Sequence, residues 1–281
     1  MDAICAIDLD TIMPVLFISN LKKIPRIYDA HELFCEMKEV VTRPSIYKAW
    51  KFIERKTVPK FINGYTVCKP IADEFEKMYR VSYKIIRNIS VLKNLPVINK
   101  KEKYILYQGA VNEGRSFETL IPAMKDVDVP LIICGDGNFM QQAKALVEKN
   151  NLGHKIIFKG MLLPDELINY TNNATIGITL FENNGLSNYY SLANRFFDYM
   201  HAAIPQVCVN YPAYAEINNQ YKIASLINDV EPATISNALN NLLRNDVLYN
   251  ELQSACIKAR EVFNWQEEEK KLIQFYNQIL H

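Results

Sequence analysis

The stretch Tyr104-Ile-Leu-Tyr-Gln-Gly-Ala-Val-Asn-Glu-Gly-Arg-Ser-Phe-Glu118 joins an apolar run to a glycine-containing loop and then to a helix start. Gly109 and Gly114 allow the backbone to approach a ligand closely. Arg115 stands at the mouth of the predicted helix, where its charge would add to the helix dipole in attracting phosphate. A single loop of this kind is a weak motif, so by itself it favours an ordinary strand-to-helix turn with a solvated arginine.

The same alternation of apolar and amphipathic runs continues from Lys103 to Leu226. Continuous apolar strands separated by amphipathic helices indicate a parallel sheet that is covered on both faces. The predicted strands are Tyr104–Gln108, Pro130–Cys134, Lys155–Lys159, Ala174–Phe181, Pro205–Val209 and Ile223–Leu226. The predicted helices are Ser116–Asp126, Asn138–Asn150, Pro164–Asn172, Leu192–Ala203 and Tyr214–Asn219, followed by Pro232–Arg244, Val247–Arg260 and Gln266–Leu280.

A less complete version of this pattern precedes residue 88. Its predicted strands are Ala3–Ile7, Arg26–Tyr28, Tyr65–Val67 and Lys84–Ile86, and its predicted helices are Ile12–Leu21, Ile46–Pro59 and Ile71–Tyr79. The segment Asn88–Lys103, with Pro96 and a basic cluster, is the best linker candidate. About ninety residues precede it, whereas a complete doubly wound domain usually needs about 100 or more. The first domain is therefore expected to be short.

Composition excludes several classes of protein. The formal net charge is +1, so a strongly basic nucleic-acid-binding surface is not expected. The six cysteines are dispersed without a C-x-x-C pair, which predicts buried apolar side chains in a reducing compartment rather than a disulfide or zinc framework. No run approaches the ~20 apolar residues of a membrane span. We expect a cytoplasmic chain, or one attached only at the membrane surface.

The stretch Phe181-Glu-Asn-Asn-Gly-Leu-Ser-Asn-Tyr-Tyr-Ser-Leu-Ala-Asn-Arg-Phe-Phe-Asp-Tyr-Met200 predicts a second ligand site. A polar loop leads into a helix whose expected N-cap is Ser191. Ser191, Arg195 and Asp198 then share one helix face. The backbone N–H groups near Leu192–Asn194 form an anion cradle, and Asp198 is placed to accept hydrogen bonds from ribose hydroxyls. A surface Arg–Asp pair is the alternative.

Two segments of the first domain leave their interpretation open. A predicted strand delivers Asp29, His31 and Glu32 to a loop, and a histidine beside an acid at that place is an active-site candidate at even odds with a structural histidine. The helix around Ile46–Lys60 mixes aromatic and basic side chains. It could lie on an anionic membrane, but a solvated basic helix is the commoner explanation. Gly135-Asp-Gly137 predicts only a tight strand-to-helix turn.

The succession of these segments resembles the donor domain of retaining GT-B glycosyltransferases of the group 1 type. The resemblance is carried by Tyr107–Arg115, Ile132–Gly137, Ile157–Gly160 with Pro164–Leu167, Ser191–Met200 and Ile204–Val209. Ile7–Thr11 and Tyr28–Glu32 resemble the later part of the acceptor domain, and the helix containing Trp265 resembles the segment that returns to it. The resemblance implies a GT-B-like α/β fold with a partial N-terminal Rossmann-like domain (1–92), a complete nucleotide-sugar-binding domain (93–265) and a returning helix (266–281).

The resemblance also implies roles for individual residues. The donor would be a nucleoside-diphosphate sugar, of the uridine type, bound without a metal or other cofactor. Gly109, Arg115, Ser191, Leu192, Asn194 and Arg195 would surround the diphosphate, Asp198 would hold the ribose, and Met161 and Leu162 would bracket the base. His31 and Glu32 would be the catalytic residues. The acceptor would be a glycan or a lipid-linked glycan, as in polysaccharide biosynthesis.

The chain departs from the family pattern in three places. Tyr190 stands where the family often has an acid that contacts the donor sugar, and the first loop has one basic residue where two are common. The opening strands of the acceptor domain are missing. The alternative function is therefore a nucleotide-sugar-binding subunit or inactive remnant, with an oligomer or partner chain covering the exposed sheet edge. An epimerase of the same fold is disfavoured because no acid pair for its elimination chemistry is evident.

Overall fold

The computed structural model describes residues 2–95 and 103–280. Residues 96–102, the centre of the predicted linker with Pro96, lie outside the described residues. Contacts divide the chain into two compact units. The first comprises residues 1–88, 183–192 and 265–281, and the second comprises 89–182 and 193–264. Residues 183–192 thus group with the first unit, because Cys68 donates to the carbonyl of Tyr190 and Gly185 lies against the carbonyl of Glu36.

The first unit contains a four-stranded parallel sheet in the order β1-β2-β3-β4. Its strands are β1 (Ile4–Ile7), β2 (Arg26–Ala30), β3 (Asn63–Thr66) and β4 (Lys84–Ile85). Its helices are α1 (Ile12–Lys22), α2 (Lys38–Val41), α3 (Pro44–Thr57), α4 (Lys69–Tyr79), α8 (Leu186–Tyr189) and α13 (Trp265–Leu280). The short helices α2 and α8 were not predicted, because four residues are too few to display a helical period.

The C-terminal helix α13 packs on the sheet of the first unit. Phe275 joins Ile27, Tyr65 and Ile86 in one buried cluster. Glu268 is fully buried, and its carboxylate accepts hydrogen bonds from the backbone N–H of Arg87 at 2.9 Å and from Lys271 at 2.7 Å. The buried apolar cluster and the hydrogen bonds of Glu268 thus hold α13 against the sheet formed by the N-terminal residues.

The second unit contains a six-stranded parallel sheet in the order β10-β9-β8-β5-β6-β7. Its strands are β5 (Ile105–Gln108), β6 (Leu131–Cys134), β7 (Ile156–Gly160), β8 (Ile176–Thr179), β9 (Gln206–Val209) and β10 (Ala224–Ile227). Four of them, β5, β6, β8 and β9, are buried along their whole length, as expected for a sheet covered on both faces. The order reverses between β5 and β8.

The helices of the second unit are α5 (Phe117–Ala123), α6 (Met140–Lys149), α7 (Pro164–Asn173), α9 (Asn194–His201), α10 (Pro212–Gln220), α11 (Pro232–Arg244) and α12 (Asp246–Arg260). Five of the six cysteines are buried, as predicted for apolar core residues, whereas Cys5 is partly exposed. No helix within residues 2–95 and 103–280 combines the length and apolar character needed to cross a bilayer. The predicted α/β architecture, with a smaller first sheet and a full second sheet, is confirmed.

Candidate functional site

The carboxyl ends of β5 and β8 form the reversal point of the second sheet. In open α/β sheets, ligands bind in the crevice at such a point. Gly109 follows β5, whereas Leu180 and Phe181 follow β8. The helix α9 begins beside them, and it carries Arg195 in its first turn.

Arg195 is a buried cation without an acidic partner. Its side chain is 8% exposed, and none of the ion pairs among the described residues includes it. The Nη1 and Nη2 groups lie 3.3–3.5 Å from the Tyr107 hydroxyl and from the carbonyls of Gln108 and Leu180, and Nε has no hydrogen-bond partner. These contacts are long, since a good N–H···O bond is about 2.9 Å. A buried charge in such surroundings is costly unless an anion completes them.

Phe181 brings the two candidate arginines together. The guanidinium carbon of Arg115 lies 4.3 Å from the centre of the Phe181 ring, and that of Arg195 lies 4.8 Å from the same centre. The loop reaches this position through left-handed backbone at Gly114 and Ser116, with φ of 79° and 60°. Two cations therefore meet around one aromatic ring at the reversal point, which concentrates positive charge where a diphosphate would bind.

The start of α9 differs from the prediction. The N-cap is Ala193, whose backbone is extended, and the helix begins at Asn194 rather than at Leu192. The predicted cap Ser191 is wrong, because its hydroxyl donates to the carbonyl of Asn188 at 2.8 Å and it belongs to the first unit together with Leu192. The N–H of Ala193 donates to the Tyr214 hydroxyl at 3.1 Å. The N–H of Phe196 already donates to the carbonyl of Ala193 at 3.0 Å, so in the first helical turn the N–H groups of Asn194 and Arg195 are the ones left without an acceptor inside the helix.

The glycine-containing loops after β5 and β6 lie beside the reversal point, and their backbones pack closely against each other. Gly109 has a φ of +117°, and a Cβ atom there would lie 3.2 Å from Nη1 of Arg195. Gly135 has a φ of +143°, and a Cβ atom there would lie 1.9 Å from the carbonyl oxygen of Gly109. The N–H of Gly109 in turn donates to the carbonyl of Cys134 at 2.9 Å. The two loops after β5 and β6 are thus held against each other, and glycine is required at Gly135.

Asp198 belongs to a polar chain that links α9, β5 and α7. Its carboxylate accepts hydrogen bonds from Ser90 at 2.8 Å and from the Gln108 amide at 2.9 Å, and Gln108 accepts one from Thr171 at 2.7 Å. Burial raises the pKa of Asp198, while its two hydrogen bonds and the charges of His201 and Arg195 act in the opposite direction. A surface Arg–Asp pair, the alternative considered above, is not observed, because Arg195 turns inward and Asp198 turns to Ser90.

A cavity of about 500 Å³ opens beside this polar chain in the second unit. Asp198, Gln108 and Thr171 supply part of its polar wall, and Pro164 and Leu167 supply part of its apolar wall. The cations Lys93 and Arg260 and the ring of His201 also line it. The predicted base-contacting residues lie next to α7: Met161 is 77% exposed, and Leu162 packs against the buried cluster that contains Tyr199. Neither of them lines this cavity.

The first unit places His31 in an acidic setting. The Nε2 atom of His31 lies 3.0 Å from a carboxylate oxygen of Asp29, and its backbone N–H donates to Asp8 at 2.9 Å. Tyr65 donates to the other oxygen of Asp29 at 3.1 Å. The hydrogen bond to Asp29 is the main reason that the pKa of His31 is raised, against the effect of its partial burial. Glu32 is partly buried beside it in the sequence.

We expect Asp29→Asn to lower the pKa of His31, because it removes the carboxylate that favours the protonated ring. In the wild type, this pair stabilises the fold fully below the unfolded pKa of about 6.5, and the contribution is lost as the pH rises through the higher folded value. NMR titration of the assigned His31 imidazole measures the change, with His201 as internal control. An unchanged His31 pKa in the variant would show that Asp29 does not control it.

Three residues of the second unit were not identified from the sequence. Phe181 ended a predicted strand, yet its ring joins both arginines. Gln108 and Ser90 hold the carboxylate of Asp198. Gln108 offered a weak signal, since a polar residue at the carboxyl end of an apolar strand faces the ligand-binding edge of a sheet. Ser90 lay in the predicted linker, and no feature of the sequence marked it as a partner of Asp198.

Comparison with known proteins identifies the family. Residues 90–262 match the sequence profile of Glycosyl transferases group 1. No curated protein sequence matches the chain significantly. Sucrose-phosphate synthase from Thermosynechococcus elongatus superposes with a TM-score of 0.82 at 17% identity, covering 99% of this chain and 73% of that one.

Two further structures are described with bound ligands. Anabaena HepE, in complex with UDP and glucose, has a TM-score of 0.78 at 12% identity over 98% of this chain and 77% of its own. The pneumococcal O-GlcNAc transferase GtfA, in complex with UDP and GlcNAc, has a TM-score of 0.72 at 13% identity over 99% of this chain and 57% of its own. The profile match and these superpositions agree with the two parallel sheets, so the chain belongs to the group 1 glycosyltransferases and has the GT-B fold.

Proposed function

We propose that this chain transfers a sugar from a uridine diphosphate sugar to a glycan or lipid-linked acceptor, with retention of anomeric configuration. The observation that carries the proposal is the buried guanidinium of Arg195, which has no acidic partner within the described residues and shares the Phe181 ring with Arg115. A diphosphate is the anion that fits such a pair at the carboxyl end of a parallel sheet. The UDP described for HepE and GtfA supports a uridine donor.

In the proposed donor site, different residues of the second unit bind the diphosphate, the ribose and the base. Arg115, Arg195, the N–H groups of Asn194 and Arg195 and the backbone at Gly109 bind the diphosphate, whereas Ser191 and Leu192, which the resemblance also implies, group with the first unit and are left out of this assignment. Asp198 has acceptor capacity left beyond its two hydrogen bonds, and we assign the ribose hydroxyls to it. We assign the nucleoside to the cavity beside it. Met161 and Leu162 do not line this cavity but precede its lining residue Pro164 in the chain, and only the family resemblance supports them as base contacts.

The proposed chemistry is electrostatic stabilisation of the leaving diphosphate. Negative charge grows on the diphosphate as the bond to the sugar breaks, and preorganised cations and helix N–H groups stabilise that charge without reorganising. These groups can serve in place of a metal ion. His31 and Glu32 are proposed as the catalytic residues on the strength of the family resemblance and of the acidic surroundings of His31.

A thermal-shift series with UDP, GDP, ADP and CDP tests the donor site, followed by hydrolysis of UDP-glucose and UDP-N-acetylglucosamine. We expect UDP to raise the melting temperature and one of the sugars to be released. UDP binding without turnover would favour a nucleotide-sugar-binding subunit over an enzyme. Absence of binding to every nucleotide would remove the donor site altogether.

The binding-subunit alternative rests on a specific feature of the first unit. Strand β1 forms one edge of the four-stranded sheet, and Phe17 and Leu21 of α1 are exposed nearby in sequence. An open parallel edge with apolar neighbours favours pairing with further protein. Addition of a partner that restores turnover would establish this alternative.

We expect Arg115→Ala to weaken UDP binding by about 10- to 150-fold, because a charge-assisted hydrogen bond contributes about 1.5–3 kcal/mol. Isothermal titration calorimetry with UDP measures the change. Lys144→Ala, an exposed cation of α6, is the control and should leave the affinity unchanged. Wild-type affinity in the Arg115 variant would exclude this residue from the donor site.

A further inference from the structure

The outward surface of α3 and the turn that follows it carries charge of one sign only. Four cations of this segment are exposed, Lys48, Arg55, Lys56 and Lys60, and together with the exposed Arg43 just before the helix we call them the basic face. None of the ion pairs among the described residues includes any of them. The chain as a whole has a net charge of only +1, so this is a local concentration of positive charge.

The single acid of α3 faces inward and does not offset the basic face. Glu54 is 2% exposed and pairs with the buried Lys51 at 2.7 Å, while Tyr79 donates to its other oxygen atom. Lys51 also pairs with Glu36 at 3.2 Å. The inner side of the helix is therefore neutralised and held against the first unit by its own ion pairs. The outer side keeps every uncompensated positive charge.

Two large apolar side chains, one in α3 and one between the following turn and β3, are strongly exposed. Phe52 is 63% exposed and Ile62 is 74% exposed. Lys48, Phe52 and Lys56 are spaced four residues apart, so Phe52 lies between two cations on one helix face. An exposed aromatic ring between lysines is the pattern of helices that lie in the interface of an anionic bilayer, where the ring enters the headgroup region and the cations bind phosphates.

We propose that the basic face binds the surface of an anionic lipid bilayer, with Phe52 inserted between the headgroups. The sequence alone favours a solvated helix, but it does not reveal that Glu54 is internal and that Phe52 points outward. Single-stranded nucleic acid is the competing polyanion, and its binding proteins stack several bases on a series of aromatic rings. Phe52 is the only strongly exposed aromatic side chain of the helix, since Tyr47 and Trp50 are partly buried. The inference does not depend on the proposed donor site.

Co-sedimentation of the full chain with vesicles tests the proposal. We expect binding to vesicles of phosphatidylglycerol and phosphatidylcholine, weaker binding at high salt, and no binding to pure phosphatidylcholine. Combined Lys48→Glu, Arg55→Glu and Lys56→Glu changes should reduce the partition coefficient at least about 100-fold, since each basic residue near such a surface contributes a factor of about five. Phe52→Ala should reduce it about tenfold through lost apolar burial.

A matched variant separates this surface from net charge. Combined Lys125→Glu, Lys144→Glu and Lys222→Glu changes alter the net charge equally at exposed positions of the second unit, and they should leave vesicle binding close to wild type. Circular dichroism and the UDP-induced thermal shift check that both triple variants fold and retain the donor site. Equal loss in the two triple variants overturns the proposal. So does binding to heparin or single-stranded RNA without binding to anionic vesicles.

Discussion

Replacing Arg195 with methionine is expected to abolish the UDP-induced thermal shift and to leave the ligand-free protein within about 1 kcal/mol of wild-type stability. The guanidinium is desolvated and has long hydrogen bonds to Tyr107, Gln108 and Leu180, with an unpartnered Nε. Methionine restores apolar volume and removes the cost of the buried charge, which offsets the lost hydrogen bonds. Under the proposed function, a bound diphosphate would in contrast lose its most deeply buried cation.

The expected loss of UDP affinity is about 3–5 kcal/mol, or roughly 150- to 5,000-fold, as found when one partner of a buried charge pair is removed. Calorimetric titration with UDP and chemical denaturation of the ligand-free variant measure the two quantities separately. Arg195→Lys should recover part of the affinity, because the charge remains although the planar fork is lost.

Arg87→Met provides the contrasting control. The side chain of Arg87 is also largely buried, at 11% exposed, but it pairs with the fully buried Glu268 at 3.4 Å within the first unit. Its removal should lower the stability of the protein and leave UDP affinity unchanged. If Arg195→Met instead lost several kcal/mol of stability and still bound UDP normally, Arg195 would be a structural residue and not a UDP-binding one.

Gly135→Ala is expected to destabilise the second unit by about 3 kcal/mol or more, the sum of backbone strain and overpacking. The φ of +143° is unfavourable for any side chain, and the new Cβ atom would lie 1.9 Å from the carbonyl oxygen of Gly109. The backbone must move, and the loop beside Arg195 must move with it. UDP binding should therefore weaken together with stability.

Urea denaturation followed by far-ultraviolet circular dichroism measures this change. Gly153→Ala is the matched control, because a Cβ atom there meets nothing within 4 Å. That variant should stay within about 0.5 kcal/mol of wild type, as is usual for surface substitutions. If Gly135→Ala proved equally mild, the close approach of the two loops would not be part of the native structure.

Local pattern was sufficient for most elements and failed at particular places. The apolar runs near Ile105, Leu131 and Gln206 form strands, and Pro232–Arg244 is a helix with the predicted bounds. The predicted start of the helix that carries Arg195 was wrong. The hydroxyl of Ser191 donates to the carbonyl of Asn188, and Ala193 still has an extended backbone, so the helix begins only at Asn194. A serine predicts a cap only if the following residues become helical, and here tertiary contacts such as Ala193 with Tyr214 decide otherwise.

The sequence by itself determined the type and order of the strands and helices, since apolar periodicity and turn residues act over neighbouring positions. It also marked Arg115 and Arg195 as polar residues near helix starts, and Asp198 as an acid further along the same helix as Arg195. Only the tertiary structure decided which of them meet. Strand order places β5 beside β8, so Phe181 reaches both arginines and Gln108 reaches Asp198 across 90 residues of chain. Periodicity carries no information about contacts at that separation, because they depend on how strands pair and not on what each strand contains.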